Sequence, residues 1–372
     1  MTTEIESGLD RGCFYFASLC AEPFCKAFEL LRYRLVMSLD PTKFDHYPTV
    51  MQDVAYRSSI VAGVVFFTYF GIAMPWMTLL GVGVVGIASK VFRAIGCYLQ
   101  KDGYTHVSGK VVEKPVGTDL KVMTWNILGL SGGMHYDHGG VVAWPLRLDR
   151  IVQQIKNEDP DVLVLQEIYD GALGEALIAQ LRDKYAHFYT HLGPNVWGTE
   201  GGVMVLTKYA VEKFQSISFE TNDWTMNRTF AILDLGNVRI IGTHLMHGKD
   251  DGVRLRQLEQ IKKVLDPLPL KPTLLVGDLN REYSAEFPFS LIHGYPADKP
   301  TCTNRLNREW NLAGEVENEE TIDYISLLEG SKASLAECHL VEAFDGSTKT
   351  ALSDHHGIVL TVKGLVLLNK SF

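Results

Sequence analysis

Leu352-Ser353-Asp354-His355-His356-Gly357 sets an acid beside an imidazole, directly ahead of Gly357-Ile358-Val359-Leu360-Thr361-Val362. The second stretch has the length and β-branched content of a buried strand. A carboxylate next to a histidine can orient the ring, hold one tautomer and favour the charged form. Alone, Ser-Asp-His is also ordinary turn chemistry before a strand. Its weight comes from upstream, where apolar strands repeatedly meet polar residues.

Val122-Met123-Thr124-Trp125 leads to Asn126, and Val162-Leu163-Val164-Leu165 leads to Gln166-Glu167. Ile240-Ile241-Gly242-Thr243 leads to His244, and Leu274-Leu275-Val276-Gly277 leads to Asp278, with Asn280 two positions on. Thr321-Ile322 leads to Asp323, and Ser353 to Asp354-His355. Any one of these reads as a turn cap. As a set they are expected to converge where strand ends meet loops. Carboxylates without an equal number of basic partners nearby suit a hard divalent cation in an oxygen cage. Magnesium fits that cage, with manganese as a substitute, and His244 and His355 would flank the anion it holds.

The segments between these strand ends carry helical periodicity. Leu148, Ile151, Val152 and Ile155 predict one amphipathic helix; Leu173, Leu177, Ile178 and Leu181 a second; Val253, Leu258, Ile261 and Leu265 a third. Further strands are predicted at 202–207, 229–235 and 238–244, the last two joined by the hairpin signal Gly236-Asn237. Strands alternating with helices and hairpins predict a mixed sheet covered by helices.

The 372 residues allow one large domain or two ordinary ones, and 46% hydrophobic with 21% charged residues is a globular balance. A net charge of −9 argues against affinity built on a basic face covering many phosphates. The six cysteines show no zinc-like spacing and read as free thiols in a reducing compartment. No basic segment followed by an apolar core opens the chain, so no cleavable secretory signal is expected. Phe24, Phe28, Leu31 and Leu35 predict an amphipathic helix that lies on a membrane or packs on the rest of the protein. From Ser58 to Ser89 there is no charged residue. A spanning helix needs roughly 20 apolar residues, so a membrane segment is expected here. Pro75 near its middle favours a hairpin whose second arm runs on to Leu99 with Lys90 and Arg93 snorkelling. A single span and a buried helical pair are the alternatives. Residues 100–118 read as a linker.

Trp125-Asn126, Leu165-Gln166-Glu167, Thr243-His244-Leu245, Gly277-Asp278-Leu279-Asn280, Ile322-Asp323-Tyr324 and Ser353-Asp354-His355 resemble, in order, the motifs of the endonuclease/exonuclease/phosphatase family. Arg147 with Ile151 and Ile155 resembles the family's first helix. The resemblance covers residues 119–364 and implies an α/β four-layer sandwich of two mixed β-sheets flanked by helices. Ahead of it stand an N-terminal region (1–57), the hydrophobic hairpin (58–99) and the linker; a short tail (365–372) follows.

The resemblance also implies roles. Glu167 is the principal magnesium ligand, with Asn126 beside it and Asp354 near the metal. Asp278 positions or deprotonates the attacking water, and Asn280 holds a phosphate oxygen. His355, held by Asp323, binds the phosphoryl oxygen or acts as base. Thr243-His244, Arg254, Gln257 and Leu352-Ser353-Asp354-His355 resemble the neutral sphingomyelinase branch, and deadenylase-type members share several of them. The expected activity is therefore metal-dependent hydrolysis of a phosphoester, with a membrane phospholipid such as sphingomyelin first. A membrane-tethered nuclease or deadenylase is the runner-up, with Lys208, Lys213 and Arg228 as contributors to a basic groove. An inactive membrane-anchored binding module is third, and no protein partner is predicted. His247 reads as a solvated loop residue, and Trp197 and Trp224 as partly buried loop anchors or contacts to lipid or base.

Overall fold

The computed structural model describes residues 9–18, 20, 75–100, 102–130, 141, 143–222, 226–248, 250–296, 299–303, 319–330, 333–345 and 350–365. Its helices are α1 (residues 9–18), α2 (Pro75–Leu99), α3 (Leu148–Glu158), α4 (Gly171–Leu181) and α5 (Asp251–Leu265). The strands of the two large sheets begin with β1 (Thr105–Ser108), β2 (Leu120–Asn126), β3 (Val162–Gln166), β4 (His187–Thr190) and β5 (Met204–Thr207). They continue with β6 (Lys213–Ser218), β7 (Thr229–Asp234), β8 (Arg239–His244) and β9 (Thr273–Asp278). The last are β10 (Leu291–His293), β11 (Asp323–Leu328), β12 (Ser334–Val341) and β13 (Gly357–Lys363). The seven-stranded sheet has the order β1-β4-β5-β3-β2-β13-β12, and the six-stranded sheet β10-β11-β9-β8-β7-β6.

Alternation along the strands builds the layers. Val122, Val164, Val205, Ile358 and Leu360 face the second sheet, where they meet Ala231, Leu233, Ile240, Leu274, Val276 and Ile325. Their strand neighbours Met123, Trp125, Leu163 and Leu165 point the other way, onto Ile151, Ile155, Leu173 and Leu177 of α3 and α4. The second sheet likewise turns Ile232, Ile241 and Leu275 onto Leu258 and Ile261 of α5. Two mixed sheets thus pack face to face, with helices on both outer faces. The expected hairpin at Gly236-Asn237 joins β7 and β8 in antiparallel register.

The reading of residues 100–118 as a linker is corrected. They carry β1, which pairs antiparallel with β4, and they bury Val116 in the inter-sheet core. A four-residue edge strand with alternating polar positions is too short to stand out from the sequence.

Only part of the expectation for the N-terminal region falls on described residues. The helix expected from Phe24 to Leu35 and the first arm of the hairpin (58–74) lie outside the described residues. The second arm is α2, and Pro75 starts it, at the first helical position where a missing N–H costs nothing. No helix among the described residues is long and apolar enough to cross a membrane. Lys90 and Arg93 interrupt the apolar run, and instead of snorkelling they donate to the Trp197 and Asn195 carbonyls. On its buried side α2 holds α1: Ser89 Oγ donates to the Ala17 carbonyl at 2.9 Å. A Cβ at Gly96 would sit 3.1 Å from the Phe14 ring. In turn α1 docks on α4, with Arg11 2.7 Å from Glu175 and Ser18 Oγ accepting from the Gly171 N–H at 2.9 Å. The five described cysteines, Cys13, Cys20, Cys97, Cys302 and Cys338, are free thiols.

One histidine on β1 makes stability depend on pH. His106 Nε2 lies 3.0 Å from His187 Nδ1, and His187 Nε2 lies 2.8 Å from Glu113. Glu113 engages the His187 Nε2 proton, which leaves Nδ1 to accept from His106. Burial, and then the neighbouring His187, pushes His106 down to about 4. A histidine depressed in the folded state favours the protonated, unfolded chain at low pH. Its contribution is therefore complete above the ordinary value near 6.5 and is lost as pH falls toward 4. Going from pH 7 to pH 5 is expected to remove ~2 kcal/mol of stability at this site. His106→Gln, which retains a donor, flattens that part of the profile. Urea melts at both pH values check it; equal losses in wild type and variant would absolve His106.

Candidate active site

Strand polarity explains why the polar strand ends meet. β2 and β3 run parallel, as do β8 and β9, so each pair presents its C-terminal ends at one rim. β11 and β13 run antiparallel to β9 and β2 and bring their first residues to that same rim. Register then places His244 opposite Asp278, and Asp278 opposite Asp323. Gly277 makes the β8–β9 contact possible. Its φ is +138°, and a Cβ would lie 1.9 Å from the Thr243 carbonyl.

Asn126 bridges the two sheets. Its Oδ1 accepts from the Leu128 N–H at 3.1 Å, which turns Nδ2 toward Glu167 Oε1 at 3.2 Å and Asp278 Oδ2 at 3.1 Å. In this orientation the amide clamps two carboxylates; a half-turn of its last torsion would offer the oxygen instead. Glu167 and Asn280 both have left-handed backbones, φ +64° and +48°. Non-glycine residues rarely adopt that conformation outside constrained functional turns.

His355 Nδ1 lies 2.8 Å from Asp323 Oδ2, and its Nε2 lies 3.9 Å from Asp278 Oδ2. His244 Nε2 is 3.3 Å from the same Asp278 oxygen. The two imidazoles are held in different charge states. Burial, then the Arg228 guanidinium, keeps His244 far below its ordinary range, so it is a neutral ring beside Asp278. Burial pulls His355 down too, but the Cys302 sulfur, Asp323 and Asp354 outweigh it and raise the ring well above its ordinary value. Cys302 is itself pushed up to about 11 by burial. It is therefore an uncharged thiol at neutral pH, and the carboxylates keep His355 cationic. Asp278 is raised by burial and by the Asp323 charge.

Glu167 is raised by burial and then by the neighbouring Asp354 carboxylate. Two half-buried carboxylates that repel each other, beside an amide whose oxygen a half-turn would present, fit a hard divalent cation. Asp278, Asp323 and His355 also have ligand atoms within 4.8 Å of one another. In that trio His355 Nδ1 is already engaged by Asp323 at 2.8 Å, while its Nε2 stands 3.9 Å from Asp278. Asn280 Nδ2 donates to the Leu245 carbonyl at 3.1 Å, and its backbone N–H donates to Asp278 Oδ1 at 2.8 Å.

All eight residues expected at the site stand at this rim. Its supports were less visible in sequence. Buried Arg147, read only as part of a first helix, donates to the carbonyls of Ile127, Leu128 and Leu352 and ties the Asn126 loop to the Asp354-His355 loop. Ser353 Oγ donates to the Asn126 carbonyl at 2.6 Å and accepts from the His355 N–H at 3.2 Å. Thr301 Oγ1 accepts from the Ile322 and Asp323 N–H groups at 3.2 and 3.1 Å; nothing in its sequence context marks it. Gln257 and Arg254 of α5 hold the loop after His244 through the Met246 N–H and the Met246 and Gly248 carbonyls.

Of the three expected groove cations, one reaches the rim. Buried Arg228 donates to the His244 carbonyl at 3.2 Å and lies 3.1 Å from Nδ1 of exposed His247. Lys208 is held at the opposite end of β3, by Asp159 and Asp161. Lys213 pairs in register with Asp234, also far from the rim. Trp197 is 74% exposed, contrary to the buried-anchor reading, and Trp224 lies outside the described residues.

A sequence profile described as the Endonuclease/Exonuclease/phosphatase family matches residues 123–355. The chain is 28% identical over 173 residues to 5'-tyrosyl-DNA phosphodiesterase of Caenorhabditis elegans, covering 44% of this chain and 43% of that protein. It is 30% identical over 209 residues to sphingomyelinase C of Bacillus cereus, covering 46% and 61%. The matched part thus spans about half the length of these curated relatives. The crystal structure of TDP2 from C. elegans superposes with a TM-score of 0.51 at 21% identity, over 87% of this chain and 96% of that one, a likeness of fold. With the profile match running from β2 through His355, the chain belongs to the endonuclease/exonuclease/phosphatase family.

Proposed function

We propose that this chain is a magnesium-dependent phosphoesterase that hydrolyses a phosphoester of a membrane phospholipid, with sphingomyelin the first candidate. The observation that carries this reading is the meeting, at one rim, of the half-buried Glu167 and Asp354 carboxylates with buried Asp278 and the buried Asp323–His355 pair. Glu167 and Asp354, with Asn126 beside them, are the residues to hold the cation. When bound, the cation supplies Lewis-acid polarisation of a phosphoryl oxygen.

The chain's own groups do the rest. Asp278, raised in proton affinity by burial and by the Asp323 charge, is placed to orient water and take its proton. Cationic His355, aligned by Asp323, stabilises charge developing on a non-bridging oxygen. Neutral His244 stands 3.3 Å from Asp278 on the other side. Asn280, whose amide also bonds Leu245, lies beside the position a phosphate oxygen would take.

The lipid reading is supported by charge. Nucleic acid approaching a chain of net charge −9 gains little from the described cations, of which Lys208 and Lys213 are turned away. A nuclease remains the second reading, because a tyrosyl-DNA phosphodiesterase is among the relatives.

The test offers sphingomyelin vesicles, phosphoinositide vesicles and single-stranded DNA in parallel to the full chain and to Glu167→Ala, with and without magnesium. Magnesium-dependent phosphocholine release, lost in the variant, is the expected result. Cleaved DNA with untouched lipid would move the protein to the nuclease reading. No turnover of any substrate by wild type would leave a binding module.

A further inference from the structure

On α2, Val84, Ile87, Val91, Ile95 and Tyr98 are 57%, 66%, 50%, 41% and 88% exposed. At 100° per residue they fall within roughly 80° of one another, a single stripe along the helix. The stripe points away from the side where Ser89 and Gly96 meet α1. A surface helix ordinarily turns its charges outward and its apolar residues in. Here the outward side is apolar. Leu9 and Phe16 of α1 are also 58% and 52% exposed, and Trp197 beside α2 is 74% exposed. Contiguous apolar exposure of this kind marks an interaction surface.

We propose that this face docks the protein onto the surface of a lipid bilayer, with α2 lying along the interface rather than crossing it. A second copy of the chain would also cover an apolar stripe. The chain leading into α2 decides for lipid: residues 58–74 carry no charge and include Phe66, Phe67, Tyr69 and Phe70. An aromatic, charge-free approach to an outward apolar stripe is the pattern of an interfacial anchor. Tyr98 and Trp197 are the residue types that settle at the headgroup level. Lys90 and Arg93 lie off the stripe, tied to the Trp197 loop, so no cation interrupts the apolar face.

The same loop leads to the active site. Two residues beyond Trp197, Thr199-Glu200 pairs with Met226-Asn227, and the next residue is Arg228, which donates to the His244 carbonyl. A bilayer under α2 therefore borders the loop that abuts the rim. Docking gains its purpose from the phospholipid reading above and rests on it, yet it is measured as binding, without turnover.

The full chain is mixed with phosphatidylcholine vesicles lacking sphingomyelin and floated on a density gradient. Wild type is expected to float, and Ile87→Glu/Val91→Glu to lose about tenfold or more in partitioning, with its thermal midpoint unchanged. Should that double variant misfold, Tyr98→Glu at the most exposed position gives the same readout. Flotation of a folded variant at the wild-type level overturns the proposal. So does a wild type that stays out of the vesicles, including one that elutes as a dimer split by the substitutions. Loss of phosphocholine release with intact flotation would instead count against the substrate reading alone.

Discussion

Asp323→Asn lowers turnover by roughly a hundred- to ten-thousandfold while leaving KM within a few-fold of wild type. Asp323 is fully buried and meets His355 Nδ1 at 2.8 Å, so its effect is transmitted through the ring. An asparagine keeps the volume but removes the charge that, with Asp354, holds His355 cationic against burial. Its amide can also donate to Nδ1 and so select the opposite tautomer. The reacting group then loses both charge and orientation, and the substrate-binding surface is unaltered. Steady-state kinetics separates kcat from KM, and NMR titration of the His355 ring follows its charge. A variant with near wild-type kcat, or with His355 still cationic, would remove Asp323 from this role.

Glu167→Gln has the second large effect, and it moves stability and activity in opposite directions. Burial and the Asp354 carboxylate raise Glu167, which means that its charged form opposes folding when no cation is bound. Replacing that charge with a neutral amide raises the midpoint of the metal-free protein. On the proposed function, the same substitution leaves the cation a neutral amide oxygen in place of an anionic ligand. Magnesium at a hundred times its Kd stabilises a single-site protein by about 2.7 kcal/mol, and that gain disappears in the variant. Turnover falls by about a thousandfold or more, the equivalent of several kcal/mol of Lewis-acid stabilisation. Thermal melts of both proteins, with EDTA and with magnesium, supply the decisive readout. A metal-dependent shift that survives in Glu167→Gln would place the cation elsewhere, with the Asp278–Asp323–His355 cluster next in line.

Much of this was legible in the strands themselves. Val122, Val164 and Ile240 alternate with partners of opposite orientation, and these strands are buried on both faces, so they read as continuous apolar runs ending in polar residues. β6, β10 and β12 were not legible. They are edge or near-edge strands such as Ser334–Val341, half exposed and mixed in character, and nothing in their pattern separates them from loop. β1 escaped for the same reason.

The candidate site residues were chosen from the chain: Asn126, Glu167, His244, Asp278, Asn280, Asp323, Asp354 and His355 each stand at or beside a strand end. What the chain could not give was their protonation and their supports. His244 and His355 are the same residue type at similar strand ends. One is neutral under Arg228 and the other cationic between carboxylates, because burial and neighbouring charge act across the gap between two sheets. Likewise α2 is an apolar run in sequence, and only packing against α1 and the Trp197 loop shows which of its faces is left outward. Local pattern determines which residues sit at strand ends. Long-range packing determines their electrostatics, since those depend on distances between elements far apart in the chain.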